Sequence, residues 1–434
     1  MKQTLNIFWF RRDLRLDDNH GLYEASQGKH PVLPIFIFDT DILDKLPKDD
    51  ARVTFIYEIL QKLKLTIKEQ FQSDIALYFG KPIKVFKNLI ETYTIETVFT
   101  NHDYEPYAII RDQQIKDFLA ESNISFKTFK DQVIFEKDDI IKSDGTPYVV
   151  YTPYMKQWKT LFNTKTLIHY DSESNLSKLI KHPDVDDISL SEMGFETSNQ
   201  KIKDYTLTPY LIQNYEAKRN FPSINATSKL GPHLRFGTVS IRNIVSKATA
   251  ENNEVFWQEL IWREFFMQIL WHFPHTVNQS FKPKYDRIEW RNNETEFKAW
   301  CEGKTGYPLV DAGMRELNET GFMHNRVRML VGSFLCKHLL IDWRWGETYF
   351  AEKLHDYEMA SNVGNWQWVA GCGVDAAPYF RIFNPTTQIE KFDNQHEYIK
   401  KWVPEYQELT YPHPIVDHNF ARERCLKVYK EALD

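Results

Sequence analysis

The sequence predicts an α/β N-terminal domain on a Rossmann-like parallel sheet, joined by a polar linker to an all-α C-terminal domain. Three observations predict it. Short β-branched and aromatic runs alternate with longer segments early in the chain, a stretch rich in Ser, Thr, Asn and Asp follows, and the remainder has helical spacing with few strand signals. The length, 434 residues, accommodates two to four domains at about 100 to 200 residues each. The boundaries fall at 1–135 for the α/β domain, 136–208 for the linker and 209–434 for the helical domain.

In order, strands are expected at 5–10, 32–38, 75–79, 97–100 and 124–129. Between the second and third, the segment 51–70 places Val53, Ile56, Tyr57, Leu60, Leu63 and Ile67 at helical spacing. Strand, helix and strand in succession give a parallel sheet. From about 163 to 209 periodicity is weak, which reads as a linker wrapped over a surface. The helical part beyond it contains no repeat and no low-complexity tract.

Composition excludes several classes. Apolar residues at 42% and charged residues at 26% are ordinary globular usage, so a sizeable core forms and wholesale disorder is ruled out. The apolar residues 5–10 end at Arg11 and Arg12, too short and wrongly flanked for a signal peptide. No apolar run reaches the roughly 18 residues of a membrane span, since the best candidate, 329–343, is interrupted by Lys337, His338 and Asp342. Cys301, Cys336, Cys372 and Cys425 form no C-x-x-C pair, which argues for buried thiols in a reducing compartment and against a metal site. A cytoplasmic monomer with no membrane partner is expected.

Net charge is −6, yet the first 200 residues hold 25 basic and 31 acidic side chains while the rest hold 29 of each. A local basic groove in the second half therefore remains compatible with the total. Ten of the twelve tryptophans lie between Trp257 and Trp402. They suit a large helical core, a stacking site for an aromatic ligand, or an electron relay.

Two strings are set aside. Gly371-Cys372-Gly373-Val374-Asp375-Ala376 matches a dinucleotide pattern but follows a helical segment instead of a strand. His355-Asp356-Tyr357-Glu358 lacks the histidine pair at i, i+4 of a zinc helix.

Other constellations carry chemistry. Glu259, Trp262 and Arg263 stand at i, i+3 and i+4, so one helical face presents a carboxylate, an indole and a guanidinium suited to a planar heterocycle. The bland reading is a surface salt bridge beside a core tryptophan. Asn325 and Met329 share a face while Arg328 points elsewhere, and an amide can donate to and accept from a base edge. Thr227, Ser228, Lys229, Leu230 and Gly231 precede a helix and suit a pyrophosphate, although Ser or Thr before Pro232 is also an ordinary N-cap. Trp366 and Trp368 sit about 200° apart on a helix, so one faces inward and the other a cavity.

These residues carry a resemblance. Trp9-Phe10-Arg11-Arg12-Asp13-Leu14-Arg15-Leu16-Asp17-Asp18-Asn19, the string from Glu259 to Phe265, Gly303-Lys304-Thr305-Gly306-Tyr307-Pro308, and Asp375-Ala376-Ala377-Pro378-Tyr379-Phe380-Arg381-Ile382-Phe383-Asn384-Pro385 resemble the photolyase/cryptochrome family. The likeness spans nearly the whole chain and is greatest to class I cyclobutane pyrimidine dimer photolyases.

The resemblance implies one FAD per chain, working in its reduced form, in the helical domain. It would be held by Tyr215, the turn Thr227, Ser228, Lys229, Leu230 and Gly231, and by Arg263, Arg328, Asp356, Tyr357 and Glu358, with Asn362 near the flavin N5. It implies light-driven repair of pyrimidine dimers in UV-damaged DNA, the dimer being flipped into a pocket of Glu259, Trp262, Asn325, Met329 and Trp368. Arg219, Arg326 and Gln388 would contact the strand, and Trp290, Trp343 and Trp366 would carry electrons to photoexcited flavin.

The sequence departs from the family pattern at four places. Gly231 stands where serine is common, Glu358 where aspartate is usual, Asn365 where glycine is usual, and Thr276-Val277 where one branch has a folate-binding Cys-Lys pair. Glu105 does match an antenna contact, so a second chromophore, folate or deazaflavin, stays open. The alternative is a cryptochrome-type flavin photoreceptor without repair activity. Retention of all five pocket residues favours repair, and Asn325 and Met329 replace the histidines expected of a (6-4) photolyase.

Overall fold

The computed structural model describes residues 3–183, 185 and 187–434. The chain gathers into two compact units, each assembled from separated stretches. The first contains residues up to Glu136, Phe162–Asp204 and Leu230–Ala250; the second contains Lys137–Leu161, Tyr205–Lys229 and Glu251–Asp434. The segment 136–208 thus divides between the two, and 230–250 returns to the first.

In the first unit, β1 (Thr4–Phe10), β2 (Val32–Phe38), β3 (Ala76–Phe79), β4 (Thr94–Asn101) and β5 (Ser125–Phe129) form one parallel sheet in the order β3-β2-β1-β4-β5. All five expected runs are strands. The alternation within β1 shows why: Phe8 and Phe10 enter one core with Phe38, Leu60 and Ile67, while Leu5, Ile7 and Trp9 enter another with Ile35, Phe86 and Leu119. A parallel sheet covered on both faces needs apolar residues on each. The helix Ala51–Phe71 starts at Asp50, whose carboxylate accepts the Arg52 N–H at 2.8 Å.

Residues 230–250 join this unit through charge. Arg242 is buried and pairs with Asp18 at 3.0 Å and Asp131 at 2.9 Å, and Asp131 also takes Arg15 at 2.7 Å. Burial works to raise the Asp131 carboxyl, but the two guanidinia outweigh it and hold it at about 2. Within the stretch read as a linker, Leu176, Leu179, Leu190, Met193 and Phe195 are core residues of the first unit. They are spaced too irregularly to register as a period.

The second unit is rich in helices around a core that includes Trp300, Leu317, Val331, Phe334, Trp343, Phe350 and Trp366. The helices Glu254–His272, Asn325–Ser333, Trp343–Lys353 and Met359–Ala370 carry most candidate residues. Gly371, at φ +93°, ends the last of these, so the first glycine of the dinucleotide-like string is a helix C-cap. The apolar run 329–343 breaks at a π-helical turn, Phe334–His338, and no helix among the described residues is long and apolar enough to cross a membrane. A helix that periodicity did not single out, Tyr151–Thr164, buries Tyr151, Tyr154 and Trp158, and the Trp158 indole donates to buried Glu264 at 2.6 Å.

Candidate functional site

A cleft in the second unit is lined by Asn325, Met329, Phe350, Asn362, Trp366 and Trp368 together with Asp356, Tyr357 and Glu358. Its acids are held by arginines from two helices. The Arg263 guanidinium donates to Glu358 at 3.0 Å, and Arg328 donates to Asp356 Oδ2 at 2.9 Å and to the Met323 carbonyl at 2.7 Å. Among the buried polar atoms without a partner are Asp356 Oδ1, on the cleft wall, and the Thr227 hydroxyl. An acceptor left open on the cleft wall is available to a polar ligand.

Asn362 is fixed in one orientation. Its Nδ2 donates to Glu347 Oε1 at 2.9 Å and to the Glu347 carbonyl at 3.1 Å, which leaves Oδ1, an acceptor, for a ligand in the cleft. Burial raises the Glu347 carboxyl, against the hydrogen bond from Asn362 that works to lower it.

Glu259, Trp262 and Arg263 each commit to a different partner. Glu259 pairs directly with Arg219, whose guanidinium lies 5.6 Å from the Tyr215 ring centroid. Burial, then Glu259, pushes the Tyr215 hydroxyl up to about 12. Trp262 stacks on Tyr151 with centroids 3.6 Å apart. Arg326 bonds Asn220 and lies 4.5 Å over the Phe392 ring, at the end of the helix Pro385–Phe392 that also bears Gln388. His324 is held down to about 4 by burial and then by Lys229, Arg328 and Arg326. A concentrated positive region therefore exists inside a half of the chain with no net charge.

Comparison with known proteins matches this arrangement to a family. The family model for DNA photolyase matches residues 6–171, and that for the FAD binding domain of DNA photolyase matches residues 256–410. The deoxyribodipyrimidine photo-lyase of Agrobacterium fabrum is 36% identical, over 99% of this chain and 98% of its own. The chain belongs to the DNA photolyase family. Two crystal structures agree. A bacterial class III photolyase from Agrobacterium tumefaciens superposes with TM-score 0.88 at 34% identity, covering 100% of this chain and 98% of its own. An archaeal photolyase from Sulfolobus tokodaii with two FAD molecules superposes with TM-score 0.84 at 34% identity, covering 98% and 99%.

The photolyase carries an FAD-binding domain, and its cleft suits that cofactor. Arg328, Asp356, Tyr357, Glu358 and Asn362 line it, and Arg263 joins through Glu358. The orphaned Thr227 hydroxyl can donate or accept, and the orphaned Asp356 Oδ1 accepts. Lys229 takes φ +58° and places its ammonium 3.7 Å from the Phe322 centroid, while the Ser228 carbonyl accepts from Thr206. Leu230 is buried, and Gly231 opens a helix of six residues, Gly231–Phe236, in the first unit.

Trp343 and Trp366 are buried in one core, and partly buried Trp290 packs against it. Trp366 meets Phe350 at 5.0 Å and Trp300 at 6.2 Å, and Trp290 meets Tyr429 at 6.0 Å. Trp368 is partly exposed on the cleft wall and Trp366 is buried, yet both line the cleft, so the angular offset between them does not assign them to separate surfaces as expected. Sequence reasoning missed Tyr151, Glu347 and Trp300. Only Trp300 gave a signal, through the tryptophan-rich composition. In the first unit, Glu105 is paired with Arg12 at 3.2 Å and Arg235 at 2.6 Å.

Proposed function

We propose that this photolyase repairs cyclobutane pyrimidine dimers in DNA, taking the flipped dimer into the cleft of the helical unit. One observation carries the reading: Asn325, Met329 and Trp368, suited to a pyrimidine pair, line the same void as Arg328, Asp356, Glu358 and Asn362, suited to a flavin. FAD, when bound and reduced, supplies the light-driven electron that opens the cyclobutane ring and recovers it afterwards.

The side chains do the rest. Asn325 presents a donor and an acceptor to a base edge, and Trp368 and Trp262 offer indole surface for stacking. Glu259 bonds the pyrimidine imide group, and Asn362 offers its carbonyl to a flavin N–H, which favours the reduced cofactor. Met329 and the aromatic walls exclude water, so that these dipoles act at low dielectric. Arg219, Arg326 and Gln388 take the strand, and Trp366, Trp343 and Trp290 form an electron relay. A light-harvesting chromophore in the first unit is compatible with the reading but not required by it.

The test is turnover of dimer-containing oligonucleotide by the flavin-reduced enzyme under blue light and in darkness. Repair in light alone is expected; equal turnover in both, or none in either, removes the proposal.

A further inference from the structure

We infer that Glu259 is a lesion-dependent lock on Arg219, and so a determinant of damaged over intact DNA. In the free enzyme its carboxylate occupies the guanidinium, and the arginine passes to a DNA phosphate only when a base in the cleft takes the carboxylate over. This rests on the proposed contact between Glu259 and the lesion.

Three observations support it. First, the Arg219–Glu259 pair is direct and both side chains are partly exposed, at 31% and 39%. A pair this exposed opens at little cost and is accessible to a strand. Second, Arg326 lies beside it without a carboxylate among the described residues. Its guanidinium bonds the Asn220 amide oxygen, approaches Met329 Sδ at 3.9 Å and covers the Phe392 ring, all neutral groups, and its Nε is buried without a partner. Third, the two guanidinia sense each other, since Arg219 adds to burial in pulling the Arg326 pKa down. Of these two neighbouring cations, only Arg219 holds a carboxylate.

Intact DNA presents phosphates but no extrahelical base. Glu259 then stays on Arg219, and the region offers one uncompensated charge, Arg326. A flipped pyrimidine brings an imide N–H, a donor that an ionised carboxylate accepts. Once Glu259 turns to that donor, Arg219 is released within reach of the backbone, and it pairs with a second phosphate. The exchange keeps every charge partnered, and it makes strand affinity conditional on occupancy of the cleft.

The experiment measures binding in the dark to undamaged duplex and to the same duplex bearing one thymine dimer, across a salt series. The flavin-bound proteins compared are wild type, Glu259→Gln, Arg219→Gln and the double variant. Each neutralised phosphate adds about −0.9 to the slope of log affinity against log salt. Glu259→Gln is expected to steepen the undamaged-DNA slope by about 0.9, because the freed Arg219 neutralises one further phosphate. Arg219→Gln is expected to flatten the dimer-DNA slope by the same amount while leaving the undamaged slope at the wild-type value. The double variant should return to the wild-type undamaged slope.

An unchanged undamaged slope in Glu259→Gln overturns the lock. Equal steepening in the double variant overturns it too, because removal of a negative charge would then suffice without Arg219. So does an equal flattening by Arg219→Gln on both duplexes, which would place Arg219 on phosphate regardless of a lesion. Failure of the repair reading looks different: wild type would show no preference for dimer DNA, whatever the undamaged slopes do.

Discussion

Tyr151 lies face to face on Trp262, with ring centroids 3.6 Å apart and planes 8° from parallel. The phenol is anchored by its hydroxyl, which donates to the Gln258 carbonyl at 2.8 Å, and by its backbone N–H, which donates to Asp375 at 3.2 Å. One face of the proposed stacking indole is thus taken by the protein itself, and Tyr151 is the support against which Trp262 stands.

Replacement of Trp262 by Ala should weaken dimer binding by about 1 to 3 kcal/mol, the range for loss of one stacked base, with flavin retained. Tyr151→Ala should weaken it by less, through lost support alone. Both are read by dimer-DNA titration and flavin absorbance. Tighter binding by Tyr151→Ala would mean that the phenol occupies the place of a base.

The pair Arg263–Glu358 has side chains only 12% and 6% exposed, and in the proposed reading it also holds the cofactor. Glu358→Ala takes one carboxylate from a part-buried guanidinium, which should lower stability and the flavin-to-protein ratio on purification. Glu358→Asp keeps the charge one methylene back and should retain more flavin. Equal ratios for the two variants would show that charge at this place does not hold the cofactor.

The legible and illegible parts of the molecule divide along one line. Strand runs such as 5–10 were readable because both faces of β1 are buried, whereas the helical offset of Trp366 from Trp368 did not keep the two apart, since both line the cleft. The Tyr151–Trp262 stack, the Glu347 bond to Asn362 and the return of Arg242 to Asp18 and Asp131 were not readable, because each joins separate elements that periodicity does not relate. The turn at Thr227 was recognised as polar, but the brevity of the helix after it depends on Gly237, which takes φ +64° and ends it.

Two buried histidines predict acid sensitivity. His338 is pushed down to about 3 by burial and then by His418 and Arg424, and His324 down to about 4 by burial and then by Lys229, Arg328 and Arg326. An unfolded histidine titrates near about 6.5. Below that pH the unfolded chain binds protons that the folded chain refuses, so stability is full above about 6.5 and declines on acidification, by about 1.4 kcal/mol per pH unit for each such group. The decline from His324 ends near pH 4 and that from His338 near pH 3. Urea unfolding at pH 7.5, 6.0 and 5.0, at the ~1.4 kcal/mol per unit expected of one proton, should give a shallower pH dependence for His338→Phe than for wild type. Parallel curves would place the titrating group elsewhere.

The electron relay makes the most discriminating prediction, because the three tryptophans are equally good core residues. If they only fill space, truncation to Ala costs about 3 to 5 kcal/mol and nothing specific to light is lost. Replacement of Trp343 by Phe keeps most of the ring volume and removes a redox-active link, so photoreduction of oxidised flavin should slow greatly in a folded, flavin-bound protein. Repair after chemical reduction should survive, since the catalytic electron does not use the relay. Two features of the core refine the expectation. The Arg344 guanidinium stands 4.7 Å from the Trp343 ring centroid, and a cation there disfavours a positive charge on the indole. Trp366 also meets Trp300 edge to face at 6.2 Å, and Trp300 continues to Tyr349 at 5.7 Å. Residual photoreduction in Trp343→Phe should therefore run through Trp300 and vanish in the Trp300→Phe/Trp343→Phe double variant, while Trp366→Phe alone should remove both routes. The measurement pairs flavin absorbance under blue light with a thiol donor against dimer repair after dithionite reduction. Unchanged photoreduction in Trp343→Phe removes that residue from the relay. A parallel fall in repair by the pre-reduced variant would instead make Trp343 a residue that shapes the flavin site.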